Sequence, residues 1–287
     1  MEGTDMVVLE NNEIRVEIAE KGAEIRSVKR NGIEYMWDAR AEVWASSAPM
    51  CFPICGGLKD DKFVFEGKEY TLNKHGYAKF TTFEVEERTE SKAVFLHRSD
   101  ETTKAQFPFD YELRVIYTLD ENSLKIEYNV KNLSGKTMYF NIGSHEAYYT
   151  PEGIEQYDVI FDEDDTLTNY ILYGNLLSNQ TQVLLSEGKV FPLYDKYFIV
   201  DALVFKGMKS RAATLKNRRN GRSVRIDFPD CPYLLLWHKH DAPFMCVEPW
   251  NGIPDTVGSS YDITKKEGIT ALDANGMYVN THTIHFA

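Results

Sequence analysis

The sequence lacks the features that mark secreted, membrane and nucleic-acid-binding proteins. Residues Met1 to Asp5 show neither the basic nor the apolar region of a secretory signal, and no later apolar run approaches the length that spans a bilayer. Basic residues number 32 against 44 acidic ones, which gives a formal charge of −12. Because phosphate binding needs a basic surface, this balance argues against a nucleic-acid partner. We expect a soluble cytoplasmic protein with neither a nucleic-acid nor a membrane partner.

Cysteine is scarce as well. The four cysteines lie in apolar or proline-flanked stretches, and none forms a CxxC pair: Cys51, Cys55, Cys231 and Cys246. Such positions are typical of buried thiols in a reducing compartment rather than of disulfides or metal ligands.

Common catalytic signatures are also missing from the chain. There is no GxSxG elbow, no P-loop and no GxGxxG turn. These are the usual signatures of α/β-hydrolases, P-loop nucleotidases and Rossmann enzymes, so the sequence does not indicate any of these three classes. No Gly/Ser-rich linker, low-complexity tract or internal repeat marks a boundary. The sequence therefore predicts one domain over residues 1–287.

Alternation of apolar and polar residues is what the chain does contain, and it predicts half-buried strands. Residues 111–117 and 124–130 alternate on either side of a short polar break, which indicates an antiparallel hairpin. Asn31-Gly32, Asn220-Gly221 and, more weakly, Glu66-Gly67 supply the turn chemistry of two-residue hairpins. Alternation over 278–286 predicts a closing strand. The fold class is therefore all-β, with few short helices. Periodicity alone does not decide between a large antiparallel sandwich and a barrel.

Three polar segments interrupt this pattern and are candidates for a site. The first contains His75, which is followed by a glycine that leaves room for a ligand, and Lys79. In the second, continued alternation would place Asn141 and His145 on one face, a suitable wall for a hydroxyl-rich ligand. Each histidine is equally compatible with a structural role.

The third segment holds Glu248 at the end of an apolar stretch, followed by Pro249 and Trp250. Apolar surroundings raise the pKa of a carboxyl group towards the range of a general base. The alternative is a structural carboxylate that binds backbone amides. His238 and His240 share one side of a strand, but no third ligand is evident, so no metal site is predicted.

Together, in this chain order, the segments resemble the aldose 1-epimerase (galactose mutarotase) family, in its branch of shorter bacterial proteins. The resemblance covers nearly the whole chain and is carried by residues 49–60, 75–78, 143–145, 201–203 and 232–237 and, most specifically, 246–250. It implies a large antiparallel β-sandwich, a free monosaccharide as substrate and no metal or nucleotide cofactor. It does not distinguish a monomer from a homodimer.

The family roles, carried over by position, assign the chemistry. Glu248 would be the general base on the anomeric hydroxyl, and His145 the general acid at the ring oxygen. His75 would bind oxygens near the anomeric centre, and Asp201 a substrate hydroxyl. Lys79, Asn141 and Trp250 complete the expected substrate-binding set.

Two positions depart from the family pattern. Relatives commonly carry arginine where this chain has Gly57, and the branch usually has arginine where it has Lys79. Without these guanidinium groups the identity of the sugar is not determined, because lysine lacks the planar bidentate fork of arginine. It also leaves two alternatives open: a sugar-binding or regulatory homologue without turnover, and a hexose-6-phosphate mutarotase.

Overall fold

The computed structural model describes residues 6–287. Residues Met1 to Asp5, where we expect no secretory signal, lie outside this range. The strands are β1 (Met6–Glu10), β2 (Ile14–Ala19), β3 (Glu24–Arg30), β4 (Ile33–Glu34), β5 (Lys62–Phe65), β6 (Lys68–Thr71), β7 (Glu84–Arg88), β8 (Lys92–Arg98), β9 (Tyr111–Asp120), β10 (Ser123–Asn132), β11 (Met138–Phe140), β12 (Ala147–Tyr149), β13 (Tyr157–Tyr173), β14 (Leu176–Pro192), β15 (Leu203–Lys206), β16 (Ala212–Asn217), β17 (Ser223–Asp227), β18 (Tyr233–Trp237), β19 (Phe244–Trp250), β20 (Thr270–Leu272) and β21 (Met277–Phe286).

Helices are short and lie in the connections. One α-helix, α1, spans Glu101–Gln106, and 3₁₀ turns occur at Lys59–Asp61, Ala78–Phe80, Ile154–Gln156, Asp195–Phe198 and Ile263–Lys265. Over residues 6–287, no helix is long and apolar enough to cross a membrane.

The large sheet has 13 strands. Its order is β12-β19-β18-β15-β13-β16-β17-β21-β10-β9-β8-β7, and β14 pairs with β13 off this path. A second sheet has the order β1-β2-β3-β4, and two small ribbons pair β11 with β20 and β5 with β6. The predicted all-β antiparallel sandwich is confirmed; the single domain over 1–287 stays a prediction.

Most of the predicted hairpins form. β9 pairs with β10 in the expected antiparallel register. Arg30 pairs with Ile33 across Asn31-Gly32, and both turn residues have positive φ, 51° and 77°. Glu66-Gly67 makes the same two-residue turn. The closing strand is β21, which pairs with both β10 and β17.

The Asn220-Gly221 turn is longer than predicted. Only Gly221 of the pair has positive φ, and strand pairing ends where Lys216 faces Ser223. The Asn217 side chain accepts hydrogen bonds from the backbone N–H groups of Arg219 (2.8 Å) and Asn220 (3.3 Å). This local hydrogen bonding stabilises a wider loop, so the two-residue turn expected here is wrong.

The core lies between the four-stranded sheet and the large sheet. Along β9 every second residue is buried, as the alternation requires. The buried residues of β1, β2 and β3 belong to the same hydrophobic cluster as those of β8, β9 and β10. The Tyr117 hydroxyl also donates to the Ala23 carbonyl at 2.7 Å. This shared core fixes the sheet end formed by β12, β19 and β18, where the candidate site lies.

Candidate active site

A cavity of about 410 Å³ opens beside β18 and β19. It is lined by Trp44, Ser46, Pro49, Gly56, Lys74, His75, Lys79, Phe80, His145, Leu172, Asn175, Asp201, Ala202, Leu235, Trp237, Glu248, Trp250 and Pro254. The structure thus brings six of the candidate site residues into one cavity: His75, Lys79, His145, Asp201, Glu248 and Trp250. The seventh candidate, Asn141, is not part of the lining.

Glu248 lies on a strand that is held on both sides. β19 pairs with β12, where Ala147 faces Cys246, and with β18, where Leu235 faces Glu248. The apolar stretch of the sequence ends at Glu248, but the strand continues to Trp250. The side chain is 1% exposed. Burial raises the pKa of Glu248 well above its ordinary value, and nearby Cys51 contributes in the same direction.

His145 faces this carboxylate. Its Nε2 lies 3.4 Å from Glu248 Oε2. The imidazole packs against two indoles that also contact each other, with ring centroids 5.2 Å from Trp44 and 5.6 Å from Trp237. Burial is the main cause that lowers the pKa of His145 to about 3, with Lys74 and Lys79 adding to it. The ring is therefore neutral at ordinary pH and is held by aromatic packing.

His75 contributes a hydrogen-bond donor of defined tautomer. Its Nδ1 accepts from the Gly56 backbone N–H at 3.2 Å and lies 3.2 Å from the Cys51 thiol. Burial lowers the pKa of His75 well below its usual value, and neighbouring His145, Lys79 and Lys74 act in the same direction. Because Nδ1 accepts, the proton of the neutral ring is on Nε2.

Glycine is required immediately after this histidine. A Cβ on Gly76 would lie 2.2 Å from the Phe52 carbonyl oxygen, and the residue has a φ of +67°. The glycine therefore allows the loop that carries His75 to pack closely on the neighbouring backbone. From the sequence, this glycine was instead expected to leave room for a ligand.

Two lysines and one aspartate form the polar side of the cavity. Lys74 Nζ lies 3.8 Å from Asp201 Oδ2, and the other Asp201 oxygen accepts from the Ala202 N–H at 2.8 Å. Lys79 Nζ donates to the Lys74 carbonyl oxygen at 3.4 Å, and burial lowers the pKa of Lys79. These groups offer hydrogen bonds to a hydroxyl-rich ligand.

Asn141 is placed differently from the sequence-based expectation. β11 ends at Phe140, so the alternation does not continue and Asn141 and His145 do not share a strand face. The Asn141 side chain is fully buried and donates to the Gly268 carbonyl at 2.7 Å. Gly143 lies against Trp250, where a Cβ would be 2.3 Å from the indole Cδ1. This contact sets the direction of the segment that carries His145.

Several lining residues were not singled out from the sequence. Trp44 and Trp237 pack around His145, Lys74 faces Asp201, and Asn175 comes from the turn between β13 and β14. The chain has only 4 tryptophans, and aromatic rings stack on sugar faces, so Trp44 and Trp237 could have been found by weighing each tryptophan. Asn175 carries no such signal, because its position depends on the length of the hairpin.

Within residues 6–287, one group of side chains has donor atoms that suit a metal. His145, Cys246 and Glu248 have ligand atoms within 4.8 Å of one another. His238 and His240 instead bind the two oxygens of one carboxylate, with distances of 3.0 Å and 2.5 Å to Asp195.

Comparison with known proteins agrees with this geometry. The family model of aldose 1-epimerase matches residues 5–262. The chain is 31% identical over 281 residues to the plasmid-encoded protein LacX of Lactococcus lactis subsp. lactis, and the match covers 93% of this chain and 94% of that protein. This chain belongs to the aldose 1-epimerase family.

Solved structures extend the comparison. A galactose mutarotase related enzyme from Lactobacillus acidophilus is 31% identical with a TM-score of 0.94, over 99% of this chain and 97% of that one. A galactose mutarotase-like protein from Lactobacillus casei ATCC 334 is 28% identical with a TM-score of 0.93, over 99% of this chain and 100% of that one. The resemblance inferred from the sequence motifs is therefore confirmed at the level of family and fold.

Proposed function

We propose that this protein is an aldose 1-epimerase that interconverts the α and β anomers of a free aldose. The observation that carries the proposal is the 3.4 Å approach of His145 Nε2 to Glu248 Oε2 within a cavity of about 410 Å³. Mutarotation needs one group that takes a proton from the anomeric hydroxyl and another that gives a proton to the ring oxygen. A carboxyl group and an imidazole in contact meet this need. The volume lies within the range of small-molecule pockets.

The protonation of the pair favours this use. Burial raises the pKa of Glu248 and lowers that of His145, so burial favours the uncharged form of both groups in the free protein. A carboxylic acid and an imidazole contain the same number of protons as a carboxylate and an imidazolium. Transfer of one proton between the two groups therefore produces the charged pair, without exchange with solvent. Polar hydroxyls of a bound sugar stabilise that charged form.

The reaction then follows from the geometry. Glu248 takes the proton of the anomeric hydroxyl while His145 protonates the ring oxygen, and the bond from C1 to the ring oxygen breaks. Rotation about C1–C2 exposes the other face of the aldehyde, and closure with the roles reversed gives the other anomer. His75 Nε2–H binds an oxygen near the anomeric centre. Glycosidases instead use two carboxylates that flank the scissile bond, whereas the pair in contact here is one carboxyl group and one imidazole.

The remaining groups bind the rest of the sugar. Trp44, Trp237 and Trp250 present aromatic surface to the C–H faces of a pyranose. Lys74, Lys79 and Asp201 offer hydrogen bonds to its peripheral hydroxyls. No metal or nucleotide takes part in these steps. The buried free thiols support our expectation of a reducing compartment, the cytoplasm.

Polarimetry on freshly dissolved α-anomers tests the proposal. The protein should accelerate the decay of optical rotation, and Glu248→Gln and His145→Asn should each lose at least about 100-fold of the acceleration. Glu267→Gln, a surface carboxylate that pairs with Lys206 at 2.8 Å, is the matched control and should keep full activity. Absence of acceleration for every common hexose and pentose, together with saturable sugar binding by calorimetry, would identify a binding protein without turnover.

One observation favours a second substrate class. Lys74 and Lys79 both line the cavity, and together they would bind the phosphate of a hexose 6-phosphate. Initial rates on glucose and glucose 6-phosphate, compared for the parent and for Lys79→Gln, separate the two substrates. A preference for the phosphate ester that Lys79→Gln abolishes would select the phosphorylated sugar.

A further inference from the structure

Cys246 is a buried thiol next to the acid/base pair that the proposed mechanism does not use. It lies two residues before Glu248 on β19, so both side chains leave the same face of the strand. Its side chain is fully buried. One donor atom each from His145, Cys246 and Glu248 lies within 4.8 Å of the other two. Nitrogen, sulfur and oxygen donors therefore come together beside the cavity, which His145 and Glu248 line.

The spacing of these atoms suits a tetrahedral zinc ion. Zinc bonds of about 2.0–2.3 Å to nitrogen, oxygen and sulfur place neighbouring ligand atoms roughly 3.3–3.6 Å apart. His145 Nε2 and Glu248 Oε2 are already 3.4 Å apart. The largest separation in the group requires a side-chain movement of roughly 1 Å. Because Cys246 is fully buried, this movement falls to His145 and Glu248, which line the cavity.

The site also has an unsatisfied buried acceptor. Glu248 Oε1 is buried and has no hydrogen-bond partner within residues 6–287. An unpaired buried carboxyl oxygen is costly, and a cation is one group that satisfies it. With three protein ligands, a zinc ion would keep a fourth position for water on the cavity side.

We propose that Cys246, His145 and Glu248 form a zinc-binding site and that Zn²⁺ bound there inhibits the protein by occupying its acid/base pair. On binding, the Cys246 thiol and the Glu248 carboxyl each lose a proton to solvent, and the thiolate and carboxylate charges balance the ion. Metal binding requires only the three side chains. The inhibition rests on the proposed function.

Cobalt substitution tests the site without reference to activity. The reduced protein is titrated with Co²⁺ after removal of metal with a chelator. The His240→Gln background is used because the exposed His240 imidazole, beside Asp195 and Asp241, offers Co²⁺ a second set of donor atoms away from the cavity. Tetrahedral visible bands and a thiolate-to-cobalt charge-transfer band should appear at one equivalent, and Zn²⁺ should displace them.

Variants locate the ion. Cys246→Ser should remove the charge-transfer band and weaken Zn²⁺ binding by at least about tenfold, since even loss of an outer-shell partner costs that much. Cys246→Ala serves as a second variant if the serine destabilises the strand. Cys231→Ser, which removes another buried thiol beside Asn280, is the matched control and should keep the band. A band that survives Cys246→Ser but is lost in Cys51→Ser would overturn the assignment, as would the absence of any charge-transfer band.

Competition links the site to the activity. Saturating sugar should weaken Co²⁺ binding, and Zn²⁺ should slow mutarotation in the parent much more than in Cys246→Ala. Co²⁺ binding that sugar leaves unchanged would contradict the shared site. If the cobalt spectrum appears in a protein without mutarotase activity, the metal site stands while the proposed function fails, so the two outcomes are distinguishable.

Discussion

The Cβ direction of Gly57 points at Asn175. A Cβ placed on Gly57 would lie 2.7 Å from the Asn175 Cβ and 2.9 Å from its carbonyl oxygen. The arginine that relatives commonly carry at this position has no space here, because the turn between β13 and β14 occupies it. Asn175 itself lines the cavity, so one wall of the site comes from the turn instead of from an arginine.

Substitution of Gly57 should therefore destabilise the protein. We expect Gly57→Ala to lower the free energy of unfolding by about 1–3 kcal/mol, the cost of overpacking a tight contact. Asn175→Gly in the same chain should recover part of this loss, because it removes one of the two colliding atoms. Gly135→Ala, where a Cβ meets nothing within 4 Å, is the control. Urea unfolding of the parent and these three variants measures the effect, and equal losses for Gly57→Ala and Gly135→Ala would contradict it.

The pH dependence of mutarotation should show a wide plateau. The active pair holds one shared proton. A second proton adds on the acid side only as His145 titrates, and its pKa is lowered to about 3. On the alkaline side the shared proton is retained to a higher pH than in an ordinary glutamic acid, because burial raises the pKa of Glu248. Values of kcat/KM measured by polarimetry, corrected for the buffer rate, should stay level from neutral pH to well below 6.5. An acid limb centred near 6.5 would show that His145 is not held neutral.

His145 should also make folding stability sensitive to acid. Its folded pKa of about 3 lies below the ordinary value of 6.5, so the unfolded chain takes up a proton while the folded one does not. Stability is then lost as the pH falls from 6.5 towards 3, with a slope of up to about 1.4 kcal/mol per pH unit.

The variant His145→Gln isolates this contribution. It has no titrating group at position 145, so its stability should be lost less steeply than that of the parent as the pH falls from 6.5 to 4. Glu248 acts in the opposite sense, because its raised pKa favours the folded state at low pH. Thermal unfolding across the window compares the two proteins, and parallel curves would argue against a buried neutral imidazole.

Trp44 should act on the reaction by holding the His145 ring. Its indole lies 5.2 Å from the imidazole and also stacks on Phe244. Aromatic pairs contribute about 0.5–1.5 kcal/mol beyond area burial, so Trp44→Ala should lower kcat/KM by up to about tenfold. Trp44→Phe keeps a ring and should recover most of the rate. Tyr261→Ala, which removes an aromatic outside the cavity, should leave the rate unchanged.

Alternation and turn residues were enough to predict the fold class. They gave the β9–β10 hairpin, the turns at Asn31-Gly32 and Glu66-Gly67 and the closing strand β21, because each depends on residues close in sequence. The wider loop at Asn220-Gly221 depends on a side-chain hydrogen bond from outside the dipeptide. Local turn signals do not contain that information.

The site was predictable only in part, for a related reason. His75, His145 and Glu248 are marked by their chemistry and by motif order, and the structure brings them into one cavity. Asn141 lies outside the cavity because β11 ends at Phe140, one residue before Asn141. The strand face that Asn141 was expected to share with His145 therefore does not form. Lys74 and Asn175 reach the cavity through loop geometry and hairpin length, which no periodic pattern specifies.

The long hairpin of β13 and β14 forms one wall of the cavity but does not carry the proton-transfer groups. Glu248 lies on a strand that is paired on both sides. Asn175 lies in the short turn of a hairpin whose second strand pairs with no strand of residues 6–287 except the first, and otherwise only bridges from Leu177 to Thr256. A change in the length or composition of that turn alters one wall of the cavity and leaves the proton-transfer groups in place. Under the proposed function, the preferred sugar is thus free to diverge by insertions and deletions in this turn, while the sheet interior holds the acid/base pair.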